Sequence, residues 1–169
     1  VTSEMELFFD LCPCPIYAVT GSDGKTTSTT LIATLLREEG NTVHLGGNIG
    51  TPLLPILDRV KPEDVAVVEL SSFQLISMRE SPDVALVTNV APNHLDMHRD
   101  MQEYVDAKRN LLLHQTAFSR AVLNRDNVIT REMAADARGD LYWFSRREPV
   151  DRGAWLDGEG FLHYTDGST

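Results

Sequence analysis

Four groups of residues in this chain carry side chains able to do chemistry. The first is the run TGSDGKTT at residues 20–27, where Gly21 and Gly24 flank Ser22 and Asp23 and are followed by Lys25, Thr26 and Thr27. Two glycines let backbone amides curl around an anion, and a helix opening at Lys25 adds the positive end of its dipole. In such a loop Lys25 would reach the β- and γ-phosphates of a nucleotide, and the Thr26 hydroxyl would ligate Mg²⁺. The commoner phosphate loop has four residues between its glycines, so the two found here also fit an ordinary strand–turn–helix. The second group is Glu69, near the end of the apolar run VAVVEL. A carboxylate there is costly unless it is solvated, paired or metal-bound, and beside Thr26 it would suit Mg²⁺. The third is His94, Asp96 and His98 in NHLDMH. This His-x-x-x-His spacing can place two ligands on one helical face. Pro92 and Asn93 instead make the stretch a turn or helix start, so His98 reads as a structural or surface residue. His98, Arg99 and Asp100 mimic a kinase triplet but lack the rest of the kinase set. The fourth is Lys108, in YVDAKR, whose default reading is an exposed helical lysine.

These residues need elements to hold them. Residues 16–19 (IYAV) form an apolar strand before the glycine run, and Leu31, Ile32, Leu35 and Leu36 recur at helical spacing after it, up to Gly40. Upstream, Glu4–Leu11 is a short amphipathic helix broken by Pro13 and Pro15. Downstream, strands are expected at residues 42–45, 65–70, 84–90, 121–123 and 141–145, with helices at 51–60, 100–115 and 127–137. Thr51 would cap the first of those helices, with Pro52 at its first position. Asp157, Gly158 and Gly160 mark a hairpin within residues 155–164. Apolar strands alternating with helices give an α/β fold: a three-layer α/β/α P-loop-type domain with a mostly parallel sheet and a C-terminal β-hairpin. Ligands of such sheets gather at the carboxyl ends of the strands. Residues 23–26, 46–50, 69–72 and 89–94 all follow strands and should therefore converge on one crevice. Asn124, Asp126 and Asn127 follow a strand as well, and read either as crevice residues or as turn formers.

The composition narrows the function classes. A chain of 169 residues with 42% apolar and 24% charged content is a single globular domain. A formal charge of −10 argues against broad nucleic-acid binding, which depends on neutralising phosphates with Lys and Arg. No apolar run approaches the ~18 residues that span a bilayer. Cys12 and Cys14 are too few for a disulfide framework and read as reduced thiols of a cytoplasmic protein, with a metal or redox pair as the other reading.

Taken together, TGSDGKTT (20–27), GNIGTP (47–52), VVELSSFQL (67–75), TNVAPNHLD (88–96) and YVDAK (104–108) resemble the central domain of the Mur ligases. The short spacing inside the phosphate loop is that superfamily's own version. GNIG and ELSSFQL are most similar to its D-glutamate-adding branch. The resemblance runs from about Glu4 to the chain end, and Asp23 departs from it, since relatives often have Asn there.

This resemblance implies an ATP-dependent ligase that joins D-glutamate to UDP-N-acetylmuramoyl-L-alanine, in the cytoplasm, for peptidoglycan synthesis. Gly21, Ser22, Asp23, Gly24, Lys25, Thr26 and Thr27 would hold ATP, with Asn124 and Asn127 near the adenine. Thr26 and Glu69 would ligate one Mg²⁺ and His94 a second. Lys108 matches the lysine that CO₂ carbamylates near that metal, which calls for a neutral amine. Asn48, Ser71 and Gln74 match positions near the muramoyl substrate. An N-terminal UDP-binding domain and a C-terminal amino-acid-binding domain are expected in cis outside this chain, leaving a central domain that is inactive in ligation by itself. No nucleic acid or membrane partner is implied. A ligase with another acceptor, or a plain P-loop nucleotide-binding or NTPase module, remains open.

Overall fold

The computed structural model describes residues 3–91 and 100–168. Its frame is a sheet of eight strands: β1 Ile16–Thr20, β2 Val43–Gly47, β3 Val65–Glu69, β4 Val84–Val87, β5 Arg120–Asn124, β6 Asp140–Ser145, β7 Gly153–Leu156 and β8 Leu162–Thr165. The spatial order is β2-β3-β1-β4-β5-β6-β7-β8, and every neighbouring pair is parallel except β7 with β8. Along β1 and β3 the side chains alternate between two cores, as the period of a strand requires. Ile16, Ala18, Ala66 and Val68 enter the larger core, where they meet α1 (Glu4–Leu11), α3 (Ser72–Leu75), α4 (Met101–Leu113) and α5 (Val128–Met133). Tyr17, Val65 and Val67 point the other way and pack against α2 (Lys25–Glu38) through Ala33, Ile32 and Leu36. The expected three layers are present, with α2 as the helix of the second core. Helix α1 forms where Ser3 caps it, the Ser3 hydroxyl accepting from Glu6 N at 3.1 Å, and it buries Met5, Phe8 and Phe9.

Parallel neighbours usually need a crossover of a dozen or more residues. Between β6 and β7 the chain manages with residues 146–152, because Gly153 pairs with Trp143 instead of with the start of β6. The return is thus only about 7 Å along the strand. The expected hairpin joins β7 to β8, and Asp157 Oδ1 closes its turn by accepting from Glu159 N and Phe161 N, each at 2.9 Å.

Three sequence expectations are corrected. Residues 51–60 do not form an α-helix capped by Thr51; a 3₁₀ turn covers Leu54–Arg59, with Pro55 in its first positions. Pro52 would be tolerated at a helix start, but Pro55 lacks the amide that would donate to the Thr51 carbonyl in an α-helix over this stretch. The strand expected at 84–90 stops at Val87, and Thr88 and Asn89 leave the sheet to hold the glycine loop. The helix expected at 127–137 narrows to a 3₁₀ turn at Ala134–Asp136. The four-residue α3 had no sequence expectation.

Candidate functional site

The glycine loop lies between β1 and α2, at the carboxyl end of the sheet. Gly24 takes φ +77° as the residue before α2 and brings no side-chain cap, so the leading amides of the helix are left as donors for an anion. Gly21, at φ +149°, sits so close to Thr88 that a Cβ would lie 1.9 Å from Thr88 Oγ1. The loop is fastened from the residues after β4. Asn89 Oδ1 accepts from Ser22 N at 3.1 Å and from Asp23 N at 2.9 Å, and Thr88 Oγ1 donates to Asp23 O at 2.7 Å. Ser22 Oγ donates to Ala91 O at 3.0 Å, accepts from Ala91 N at 2.9 Å and lies 3.0 Å from the Tyr104 hydroxyl. The Asp23 backbone is held while its side chain stays exposed at the rim, and Thr27 is exposed in the first turn of α2.

Glu69 ends β3 as a buried carboxylate, 1% exposed. The sheet register places it beside Val19 on one side and Gly47 on the other, so residues from both neighbouring loops reach it. Thr26 Oγ1 donates to Oε2 at 2.8 Å, and Asn48 Nδ2 donates to Oε1 at 3.0 Å. Three separated stretches of sequence thus meet on one carboxylate, as the strand-end rule requires.

Lys108 is not the exposed helical lysine of the default reading; it is 1% exposed. It lies one helical turn after Tyr104, over whose ring its Nζ sits at 4.5 Å from the centroid. Its Nζ donates to Gly21 O at 2.9 Å and to Thr20 Oγ1 at 3.4 Å. Burial, and then the positive charge of Lys25, push its ammonium down to about 7. Lys25 Nζ itself bends back onto the loop, donating to Gly21 O at 3.0 Å and Ser22 O at 3.1 Å. A cleft of about 210 Å³ opens between these groups, lined by Gly21, Lys25, Asn48, Ser71, Tyr104 and Lys108.

The remaining sequence candidates have structural partners. Ser71 and Gln74 form a capping box at α3, with Ser71 N donating to Gln74 Oε1 at 2.9 Å and Gln74 N donating to Ser71 Oγ at 3.3 Å. Ser71 lines the 210 Å³ cleft; Gln74 lines a separate one of about 330 Å³ together with Asn48. Asn124 Nδ2 donates to Thr88 O at 2.8 Å, and Asn127 Nδ2 donates to Val90 O at 3.0 Å, while Asn127 Oδ1 caps α5. Both asparagines therefore brace the segment that braces the glycine loop. His94, Asp96 and His98 lie outside the described residues. Thr88 and Tyr104 are functional candidates that the sequence reading does not single out, and Asn89 enters it only within the crevice stretch 89–94.

Known proteins share this chain's sequence and fold. It is 57% identical over 169 residues to the UDP-N-acetylmuramoylalanine–D-glutamate ligase of Acetivibrio thermocellus, an alignment covering 100% of this chain and 36% of that protein. The ligase of the same name from Clostridium acetobutylicum is 54% identical over 157 residues, covering 93% of this chain and 34% of the relative. The chain thus spans about a third of the length of these curated relatives. Among solved structures, a UDP-N-acetylmuramoyl-L-alanyl-D-glutamate–2,6-diaminopimelate ligase superposes with a TM-score of 0.68 at 22% identity, over 86% of this chain and 34% of that one. The UDP-N-acetylmuramate:L-alanyl-γ-D-glutamyl-meso-diaminopimelate ligase of Neisseria meningitides does so with 0.68 at 16% identity, over 96% and 56%. At those identities the likeness speaks for the fold alone. The family model described as the Mur ligase middle domain matches residues 19–167, from the end of β1 to just beyond β8, and the chain belongs to that family.

Proposed function

We propose that this chain is the nucleotide-handling domain of a D-glutamate-adding Mur ligase, and that the whole protein joins D-glutamate to UDP-N-acetylmuramoyl-L-alanine with ATP as the driving substrate. The observation that carries the mechanism is the buried Lys108 seated on the carbonyl of Gly21 in the glycine loop. A simple NTPase has no use for a buried amine there, whereas a near-neutral amine can add to CO₂ and become an anion. The acceptor assignment rests on the relatives at 50–57% identity.

In this reading the α2 amides and Lys25 bind the phosphates of ATP, and Asn124 and Asn127 stand near the adenine. Asn48, Ser71 and Gln74 stand near the muramoyl substrate. Thr26 and Glu69 offer a hydroxyl and a carboxylate oxygen 2.8 Å apart, a donor set that fits Mg²⁺, and they would hold one ion. His94 and a carbamylated Lys108 would serve a second. Bound Mg²⁺ would supply neutralisation of charge on the phosphates. The substrate carboxylate attacks the γ-phosphorus, giving an acyl phosphate and ADP. The amine of D-glutamate then attacks the activated carbonyl, and phosphate leaves with the amide formed. The protein's part is mainly positioning and charge stabilisation. Domains binding UDP and the amino acid are expected in cis, so this chain by itself should not ligate.

The test uses the full open reading frame. Phosphate release from ATP is followed with UDP-N-acetylmuramoyl-L-alanine and, in turn, D-glutamate, meso-diaminopimelate or L-lysine. Release that needs both the muramoyl substrate and D-glutamate supports the reading. Release with another acceptor moves the protein within the superfamily, and release without any acid substrate leaves a plain NTPase.

A further inference from the structure

Cys12 and Cys14 stand apart from the site, where α1 hands the chain to β1. Cys12 ends α1 in extended conformation, φ −69° and ψ 122°, which is what a residue preceding proline is driven to adopt. Pro13 fixes the next φ. Extended backbone repeats every second residue, so the two thiols emerge side by side, and their Sγ atoms lie 3.5 Å apart. A disulfide needs about 2.05 Å, a closure of roughly 1.5 Å. A metal reading is not favoured: among the described residues no group of three or more His, Cys, Asp or Glu is placed to hold an ion. The nearby carboxylate of Asp64 is already engaged by His44 Nε2 at 2.8 Å and Lys61 N at 3.0 Å.

We propose that Cys12 and Cys14 form a dithiol–disulfide couple, in which a hydroperoxide oxidises Cys12 and Cys14 closes an intrachain bond. The two thiols are unequal in a way that orders the steps. Cys14 is 4% exposed and belongs to the main core, and burial followed by the neighbouring Cys12 thiol pushes it up to about 12. Cys12 is only half-buried and meets the oxidant first. The Cys12 thiolate attacks one oxygen of the hydroperoxide, the O–O bond breaks, and Cys12 becomes a sulfenic acid as hydroxide or alkoxide leaves. The Cys14 sulfur then attacks the sulfenic sulfur, the S–O bond breaks, and the Cys14 proton leaves with the hydroxyl as water. Two thiols are oxidised and one peroxide is reduced. Proximity makes up for the weak acidity of the resolving thiol.

The reduced full chain is treated with stoichiometric hydrogen peroxide and followed by intact mass and thiol titration. The expected result is simultaneous loss of both thiols with a mass lower by two hydrogens, reversed by dithiothreitol. Cys14→Ser should instead accumulate a dimedone-reactive sulfenic acid on Cys12, and Cys12→Ser should leave Cys14 unmodified. Should Cys14→Ser fail to fold, a trivalent phenylarsine, which needs two neighbouring thiols, should bind the native reduced chain one to one. Added oxygens on Cys12 beside a free Cys14, disulfide-linked dimers, or no arsenical binding would each overturn the proposal.

Discussion

Lys25 and Lys108 donate to the same acceptor, the carbonyl oxygen of Gly21, at 3.0 and 2.9 Å. Burial is what chiefly lowers the Lys108 ammonium, and the Lys25 charge adds to it by repulsion. The loop that would hold phosphate therefore also contributes to tuning the amine behind it.

A pH-dependent stability follows. Lys108 has its ammonium lowered from 10.5 to about 7 by folding. Below pH 7 both folded and unfolded states carry the proton, and the cost of burying it is fully present. Between pH 7 and 10.5 the unfolded chain binds more protons, so stability rises with pH, by on the order of 5 kcal/mol across the window. Urea midpoints of the chain and of Lys108→Met, compared from pH 6 to 9, should diverge on the acid side and converge as pH rises. Parallel curves would place the proton on Lys108 throughout.

Glu69→Gln keeps the shape of the clamp but turns an acceptor into a donor facing Thr26 or Asn48. Unfolding free energy should fall by about 1–3 kcal/mol. Calorimetry with Mg²⁺-nucleotide should show affinity lower by roughly tenfold or more, or ~1.4 kcal/mol. The same titration in EDTA should show little difference between the two proteins. An equal loss with and without the metal would remove Glu69 as a ligand.

The two loop glycines should respond differently to alanine. At Gly24 nothing lies within 4 Å of a new Cβ, so only the φ of +77° is penalised, at about 1 kcal/mol. At Gly21 the Cβ would collide with Thr88 Oγ1, which itself holds Asp23 O. Overpacking there should cost roughly 3 kcal/mol and loosen the loop. Denaturant unfolding of both variants orders the costs, and the reverse order would contradict the packing.

Asn127 joins two tasks, capping α5 through Oδ1 and pinning Val90 O through Nδ2. Asn127→Ala should lose both, at about 1–2 kcal/mol for the cap. Asn127→Asp keeps the Oδ1 bonds from Thr130 N and Val90 N and loses the one donated to Val90 O, so its unfolding midpoint should lie between those of Ala and Asn. An Asp variant as unstable as Ala would show that the cap contributes little.

The alternation of apolar strands with helices, and the convergence of strand ends on Glu69, were legible because both follow from short windows of sequence. Residues 51–60 misled because Thr51-Pro52 has the look of a helix start, while Pro55 three residues on leaves only a 3₁₀ turn. Helix α3 is a single turn, too short for any periodicity. The burial of Lys108 was illegible for another reason: its partners Thr20 and Gly21 lie 88 and 87 residues away, and only the β1–α4 packing brings them together. Asn89 was legible as part of the crevice stretch 89–94 but its partners were not, since an amide serving two loop amides looks in sequence like any turn residue. The same holds for the capping box that Ser71 and Gln74 form at α3, two residues that the resemblance places near the muramoyl substrate.

Apart from the two local bonds of Lys25, the bonds that shape the glycine loop span 65–88 residues of chain, reaching from Ser22 and Asp23 to residues 88–91 and from Thr20 and Gly21 to Lys108. A parallel sheet must close such long loops before any of these bonds can form, and that entropy is lost ahead of the reward. The phosphate cradle is therefore complete only once the residues after β4 and helix α4 have docked on β1, and anion binding by this chain would report that docking.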